Sequence, residues 1–147
     1  MKSNGLVALK DYPYTKRMTS CKSQAPKMKQ KIRSTFSGHP NGNEGELKKV
    51  LANVGPVVVY MYAKDSFQHY KSGVYYDQSC PSRCPEINHA VLLVGYGTDK
   101  TTYKKPVDYW IIKNSWGTTW GEAGYGRMIK GKGNSCNIAC FIRYSVV

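Results

Sequence analysis

Three histidines and five cysteines are the side chains of this sequence that can move a proton or attack near neutral pH. His39 sits in a Gly38–His39–Pro40 turn and His69 in a polar segment, and both read as exposed imidazoles with no task. His89 is different. It follows Asn88 and stands at the mouth of an apolar run, HAVLLVGY. An imidazole there is either a structural group at a strand end or a general base. A second apolar run, YWIIK, stops and delivers Asn114, with Trp116 two residues on.

The cysteines are Cys21, Cys80, Cys84, Cys136 and Cys140. Cys80/Cys84 and Cys136/Cys140 are each spaced C-x3-C, with no CxxC pair and no histidine at ligand spacing, so no metal site is expected. Beside twelve tyrosines and many Gly and Pro turns, the pattern points to disulfides. An odd count leaves one thiol free or paired outside these residues.

The elements that position these residues can be read in outline. Residues 1 to 40 are rich in loops, with a short strand expected around Lys29 to Phe36. Asn43 is a good N-cap, and Glu46 three residues on completes the pattern of a capping box. Leu47, Val50, Leu51 and Val54 fall on one helical face, and Gly55–Pro56 stops the helix. Strands are expected in PVVVYMY from Pro56, at Gly73–Tyr76, His89–Tyr96, Tyr109–Lys113, Gly124–Ile129 and Phe141–Val147. Asp65 caps a short helical turn holding Phe67 and Tyr70. Strands separated by Gly-rich turns predict an α+β chain whose main part is an antiparallel β-barrel-like domain with one main helix.

Composition excludes several classes. The 147 residues make one domain's worth, with 41% hydrophobic residues. No 18-residue apolar run is present, so no membrane partner is expected, and residues 1 to 10 do not read as a secretory signal. The net charge of +13 is spread along the chain. Without a nucleic-acid motif it reads as a solvated basic surface, and a nucleic-acid partner is the weakest alternative.

NHAVLLVGYG together with YWIIKNSWGTTWGEAGYGRM resembles the C-terminal half of the papain-like cysteine peptidases of the cathepsin L and cathepsin K types. Asp11-Tyr-Pro-Tyr followed by Cys21, Val54-Gly-Pro-Val and Ser72-Gly-Val-Tyr-Tyr fit as well, so the resemblance covers essentially the whole chain. It implies the right-hand domain of that fold over residues 26–147, with the loop-rich end of the helical domain over 1–25. It implies His89 as base and Asn114 as its orienter, with Trp116 shielding their hydrogen bond. The substrate would be a peptide or protein, and no cofactor is implied.

The nucleophilic cysteine of such enzymes precedes the His and Asn by about 130–150 residues, which puts it roughly 40–60 positions before Met1. The expected partner is therefore a missing N-terminal half carrying that thiol, and the chain alone is expected to be inactive and poorly soluble. Cys84 does not replace the thiol, since Pro81 and Pro85 bracket the segment and no helix starts there.

The resemblance pairs Cys80 with Cys136 and gives Cys21 a partner in the missing part. Cys84 and Cys140 form a second bridge or stay as two thiols. Tyr60, Asn88, Ala90 and Phe141 are implied to contact substrate. Tyr60, Ala90 and Phe141 would wall the pocket for the side chain two positions before the cleaved bond. Bulky Tyr60 and Phe141 predict a shallow pocket for small or medium apolar groups. Asn137 and Gly126 depart from the family, which more often has a glycine and a bulky apolar residue there. Crosslinks and family imply a lysosomal or extracellular setting. The alternative function is a non-catalytic binding or decoy protein of the same ancestry.

Overall fold

The structure, a computed structural model, describes residues 8, 10–13, 15, 17–20 and 32–146. Cys21 and its pairing lie outside them, as does the beginning of the strand expected around Lys29. The chain divides into two compact units, Met1–Phe36 with Ser145–Val147, and Ser37–Tyr144. In the first, the Asp11 and Tyr12 amides both donate to the Ala8 carbonyl, and the Arg33 amide donates to the Val146 carbonyl at 2.8 Å.

In chain order the elements are β1 (Ser34–Gly38), α1 (Glu44–Val54), β2 (Val57–Met61), α2 (Asp65–Gln68), β3 (Val74–Tyr75), β4 (His89–Asp99), β5 (Val107–Lys113), β6 (Tyr125–Ile129) and β7 (Phe141–Val146). A 3-10 turn covers Ser135–Asn137. The strands make one sheet in the order β1-β7-β2-β4-β5-β6-β3.

Helix α1 begins and ends where residue chemistry requires. The Asn43 side-chain oxygen accepts from the amides of Gly45 (2.9 Å) and Glu46 (3.1 Å). The capping box is only half made: the Asn43 amide donates to the Pro40 carbonyl, and Glu46 turns to Lys49 at 2.9 Å. Gly55, at φ 94, donates to the Leu51 carbonyl, a backbone turn that glycine takes without steric cost. Leu47 and Leu51 are buried and Val50 packs against the core. Val54 is exposed, because the helix has already turned toward Gly55.

Strand β2 alternates cleanly. Val57, Val59 and Met61 are buried, and Val58 and Tyr60 face the other side. It pairs antiparallel with β4 and with β7. β4 and β5 form a hairpin whose register shifts between Leu93 and Gly95, so one extra residue of β4 is taken up in a bulge. The core between sheet and helix holds Leu47, Val57, Val59, Leu93, Trp110 and Ile112 among others.

The expected α+β architecture with one main helix and a barrel-like sheet is found, with two refinements to the sheet. β3 runs parallel to β6, and the strand order has two distinct ends, so among the described residues the sheet is open. No hairpin links β3 to β6, so nothing in the chain forces them antiparallel. Instead β3 is drawn onto β6 from outside the ladder. The Glu122 carboxylate accepts from the Gly73 amide at 3.0 Å and from Arg127 Nη2 at 2.7 Å, and Tyr70 Oη accepts from the Arg127 amide.

Candidate active site

β4 starts at His89 and β5 ends at Lys113, and because the two strands run antiparallel, His89 and Asn114 fall at the same end of the hairpin. His89 Nε2 lies 2.9 Å from Asn114 Oδ1. An amide oxygen only accepts, so the ring carries its proton on Nε2 and leaves Nδ1 with a lone pair. The same oxygen accepts from the Ser115 amide at 2.8 Å, which fixes the Asn114 rotamer. The Asn114 backbone amide donates to the Gly124 carbonyl. Asn114 is 9% exposed, and its Nδ2 is the one buried side-chain polar atom without a partner among the described residues.

Trp116 stacks on His89, with ring centroids 4.6 Å apart and planes at 26°. It covers one face of the imidazole and is itself 38% exposed. Trp120 and Phe67 meet Trp116 edge-on from behind. Trp120 Nε1 donates to the Phe67 carbonyl at 3.2 Å, so the indole that backs Trp116 is itself fixed. This explains the glycine at 126, since a Cβ there would stand 2.9 Å from the Trp120 ring.

Asn88 spends its side chain on structure. Its amide oxygen accepts from the Ala63 amide at 2.7 Å and its Nδ2 donates to the Ala63 carbonyl at 3.1 Å. With the Asn88 backbone amide donating to the Met61 carbonyl at 3.1 Å, this pins the end of β2 beside His89. Tyr60, Ala90 and Phe141 lie in one register row across three strands, Tyr60 opposite Ala90 on one side and opposite Phe141 on the other. A groove of about 300 Å³ is lined by Tyr60, Ile87, Asn88, His89 and Ala90. A second, of about 290 Å³, lies past Tyr60 and includes Ile87, Phe141, Arg143 and His39. His39 is exposed and meets the Phe141 ring edge-on at 4.9 Å.

Both bridges form: Cys80–Cys136 and Cys84–Cys140, each spanning 56 residues. Cys84 is therefore no thiol. The bridges carry the loop that leads to His89 against the segment that leads to Phe141. Asn137 sits between them in a left-handed conformation, φ 61, which Asn tolerates better than most side chains. Its amide donates to the carbonyls of Glu86 (2.7 Å) and Arg83 (3.3 Å). A glycine would adopt the same backbone and lose both bonds.

Sequence reasoning missed Ile87, which lines both grooves, and Glu44, whose carboxylate accepts from Trp110 Nε1 and from the amides of Gly131 and Asn134, each at 2.9 Å. No local pattern marks either residue, because the partners of Glu44 lie 66 to 90 residues away in the chain. Asp99 was missed too. The amides of Thr102 and Thr101 donate to it and hold its carboxyl well below the usual range, with Arg127 alongside at 3.4 Å. The Glu122 carboxyl is also lowered, chiefly by its hydrogen bonds from Arg127. Among the described residues no cluster of His, Cys, Asp or Glu could hold a metal, and no helix is long and apolar enough to cross a membrane.

Comparison with known proteins gives the family and the fold. Residues 1–146 match the model of the papain family cysteine proteases. The chain is 41% identical over 149 residues to a cathepsin L-like peptidase of Aedes aegypti, covering 99% of this chain and 41% of that protein. It is 43% identical over 140 residues to cathepsin K of Mus musculus, covering 94% and 40%. It thus spans about two fifths of the length of these curated relatives. Among solved structures, digestive procathepsin L 3 of Tenebrio molitor larval midgut superposes with a TM-score of 0.85 at 36% identity, over 99% of this chain and 45% of that one. Bromelain of Ananas comosus, in complex with the E64 inhibitor, gives 0.81 at 32% identity, over 98% and 64%. A family match along nearly the whole sequence, on a sheet that brings His89 and Asn114 together beneath an indole, means that this chain belongs to the papain family of cysteine proteases.

Proposed function

We propose that these residues supply the base and orienter of a papain-like cysteine peptidase that hydrolyses bonds in peptide or protein substrates, and that the nucleophilic thiol comes from outside them. The observation that carries this reading is the 2.9 Å contact between His89 Nε2 and Asn114 Oδ1 beneath Trp116. It leaves Nδ1 to take the proton of an incoming thiol. The thiolate then attacks the scissile carbonyl, and the imidazolium returns its proton to the leaving amine. Water hydrolyses the thioester with the same imidazole as base. The four described cysteines are all consumed in bridges, which supports an external nucleophile.

The partner in this reading is the N-terminal half of a papain-like fold, with residues 1–25 its loop-rich end and residues 26–147 the right-hand domain. Tyr60, Asn88, Ala90 and Phe141 form the substrate wall. Two disulfides suit a lysosomal or extracellular compartment. The test is a fluorogenic dipeptide amide, assayed with and without a thiol-directed epoxide. The 147-residue chain alone is expected to give no turnover and no labelling. Joined to a segment that bears the thiol, it is expected to turn over, and His89→Ala is expected to abolish that. Turnover by the chain alone, or undiminished turnover in His89→Ala, would refute the proposal.

A further inference from the structure

The groove past Tyr60 ends in a cation. Phe141 and Arg143 are two apart on β7 and so project to the same face, about 7 Å apart along the strand. They stand opposite Tyr60 and Val58 of β2. The groove beside His89 and the groove beside Arg143 share Tyr60 and Ile87, so they adjoin along one trough. Tyr60, Ile87, Phe141 and Ile142 make its apolar walls, Ser37, His39 and Asn88 add polar groups, and among the described residues no carboxylate lines either part. Arg143 is exposed, and no described acidic residue forms an ion pair with it. Elsewhere Arg127, Lys64 and Lys130 each have a carboxylate partner.

We infer that this trough selects a substrate side chain that ends in a carboxylate, glutamate above all, with its methylenes along Tyr60 and Phe141 and its carboxylate on the Arg143 guanidinium. The apolar side chains beside Arg143 suit methylenes, and a guanidinium offers a carboxylate two parallel N–H donors. The expected preference for small or medium apolar groups rests on Tyr60 and Phe141 alone and leaves Arg143 out of account. The outer part adds a charge requirement. This inference rests on the peptidase reading for its substrate class, while the groove and Arg143 stand independently of it.

The test separates the two. The 147-residue chain is titrated with N-acetyl-Leu-Glu-Gly-amide and its Gln twin, followed by calorimetry. The Glu peptide is expected to bind about fivefold tighter at low salt, the margin of one partly exposed charged pair. The margin is expected to shrink in about 0.3 M salt and to vanish in Arg143→Gln while the Gln peptide binds as before. Equal binding of the two peptides, a margin that survives Arg143→Gln, or no binding of either overturns the inference. Failure of the thiol-supplemented chain to cleave any peptide would instead overturn the peptidase reading alone.

Discussion

Replacing Asn114 with alanine separates what the site does from what the fold needs. The substitution removes two hydrogen bonds to Oδ1, from His89 Nε2 and from the Ser115 amide. Each is worth about 1 kcal/mol net, and Ser115 is exposed, so water replaces its partner. The deleted Nδ2 has no partner among the described residues and is buried, a situation that costs a fold about 1–3 kcal/mol. Truncation relieves that cost. The small void adds about 1 kcal/mol. The net destabilisation is therefore about 0–2 kcal/mol, although a buried residue is lost. Urea unfolding followed by tryptophan fluorescence should show a midpoint shifted by less than about 1 M. Ring 15N spectra of His89 should meanwhile change from a fixed Nε2–H tautomer to a mixture. On the thiol-supplemented protein the rate should fall about tenfold, the equivalent of one lost orienting bond. A loss above about 3 kcal/mol, or an unchanged His89 tautomer, would show that Asn114 is primarily a structural residue.

Three further outcomes are expected. Glu44→Ala strands the Trp110 indole N–H and the Asn134 amide in buried surroundings, and should cost about 3–5 kcal/mol in chemical unfolding; Lys49→Ala, on an exposed and solvent-screened pair, should leave the unfolding midpoint unchanged. The two bridges close nearly the same loop, so replacing Cys84 and Cys140 by serine should cost only about 2–3 kcal/mol while Cys80–Cys136 remains, and removing both bridges about 6–7 kcal/mol. Asp77, Asp99 and Glu122 have folded carboxyls lowered by hydrogen bonds from Ser79, from Thr102 and from Arg127 respectively. Their contribution is complete above the ordinary carboxylate range and is lost as pH falls through the lowered values, so the unfolding midpoint should stay flat down to about pH 5 and drop below about pH 4.

The parts that sequence made legible were local. Asn43, the Leu47/Leu51 face and Gly55 specify α1 without help from the rest of the chain. The alternation in PVVVYM gives β2 its buried face, and the apolar runs at His89 and Tyr109 give β4 and β5. The strand expected at Phe141–Val147 is β7, described to Val146, and that at Gly124–Ile129 is β6, from Tyr125. What stayed hidden depends on partners far away in the chain. The parallel pairing of β3 is set by Glu122 and Arg127, some fifty residues on. Cys84 meets Cys140 because the loop before His89 folds onto the segment before Phe141, an outcome for which C-x3-C spacing left two answers. The glycine at 126 makes sense only once Trp120 lies over it, and Asn137 only once its amide is seen to hold the carbonyls of Arg83 and Glu86. That Tyr60, Ala90 and Phe141 share one row follows from the register of three strands.

The hairpin of β4 and β5 carries one last consequence. His89 and Asn114 are 25 residues apart in sequence, yet both lie at its open end, while the turn that joins the strands lies at the other. Chain length added at that turn moves neither residue, because the ladder and its bulge set their separation. Asp99 anchors the near side of the turn, Tyr103 touches the Val74 amide, and Lys104 and Lys105 are exposed. The junction between those two lysines is thus a splice point: an epitope or a fluorescent reporter grafted there would travel with the molecule and leave its chemistry undisturbed.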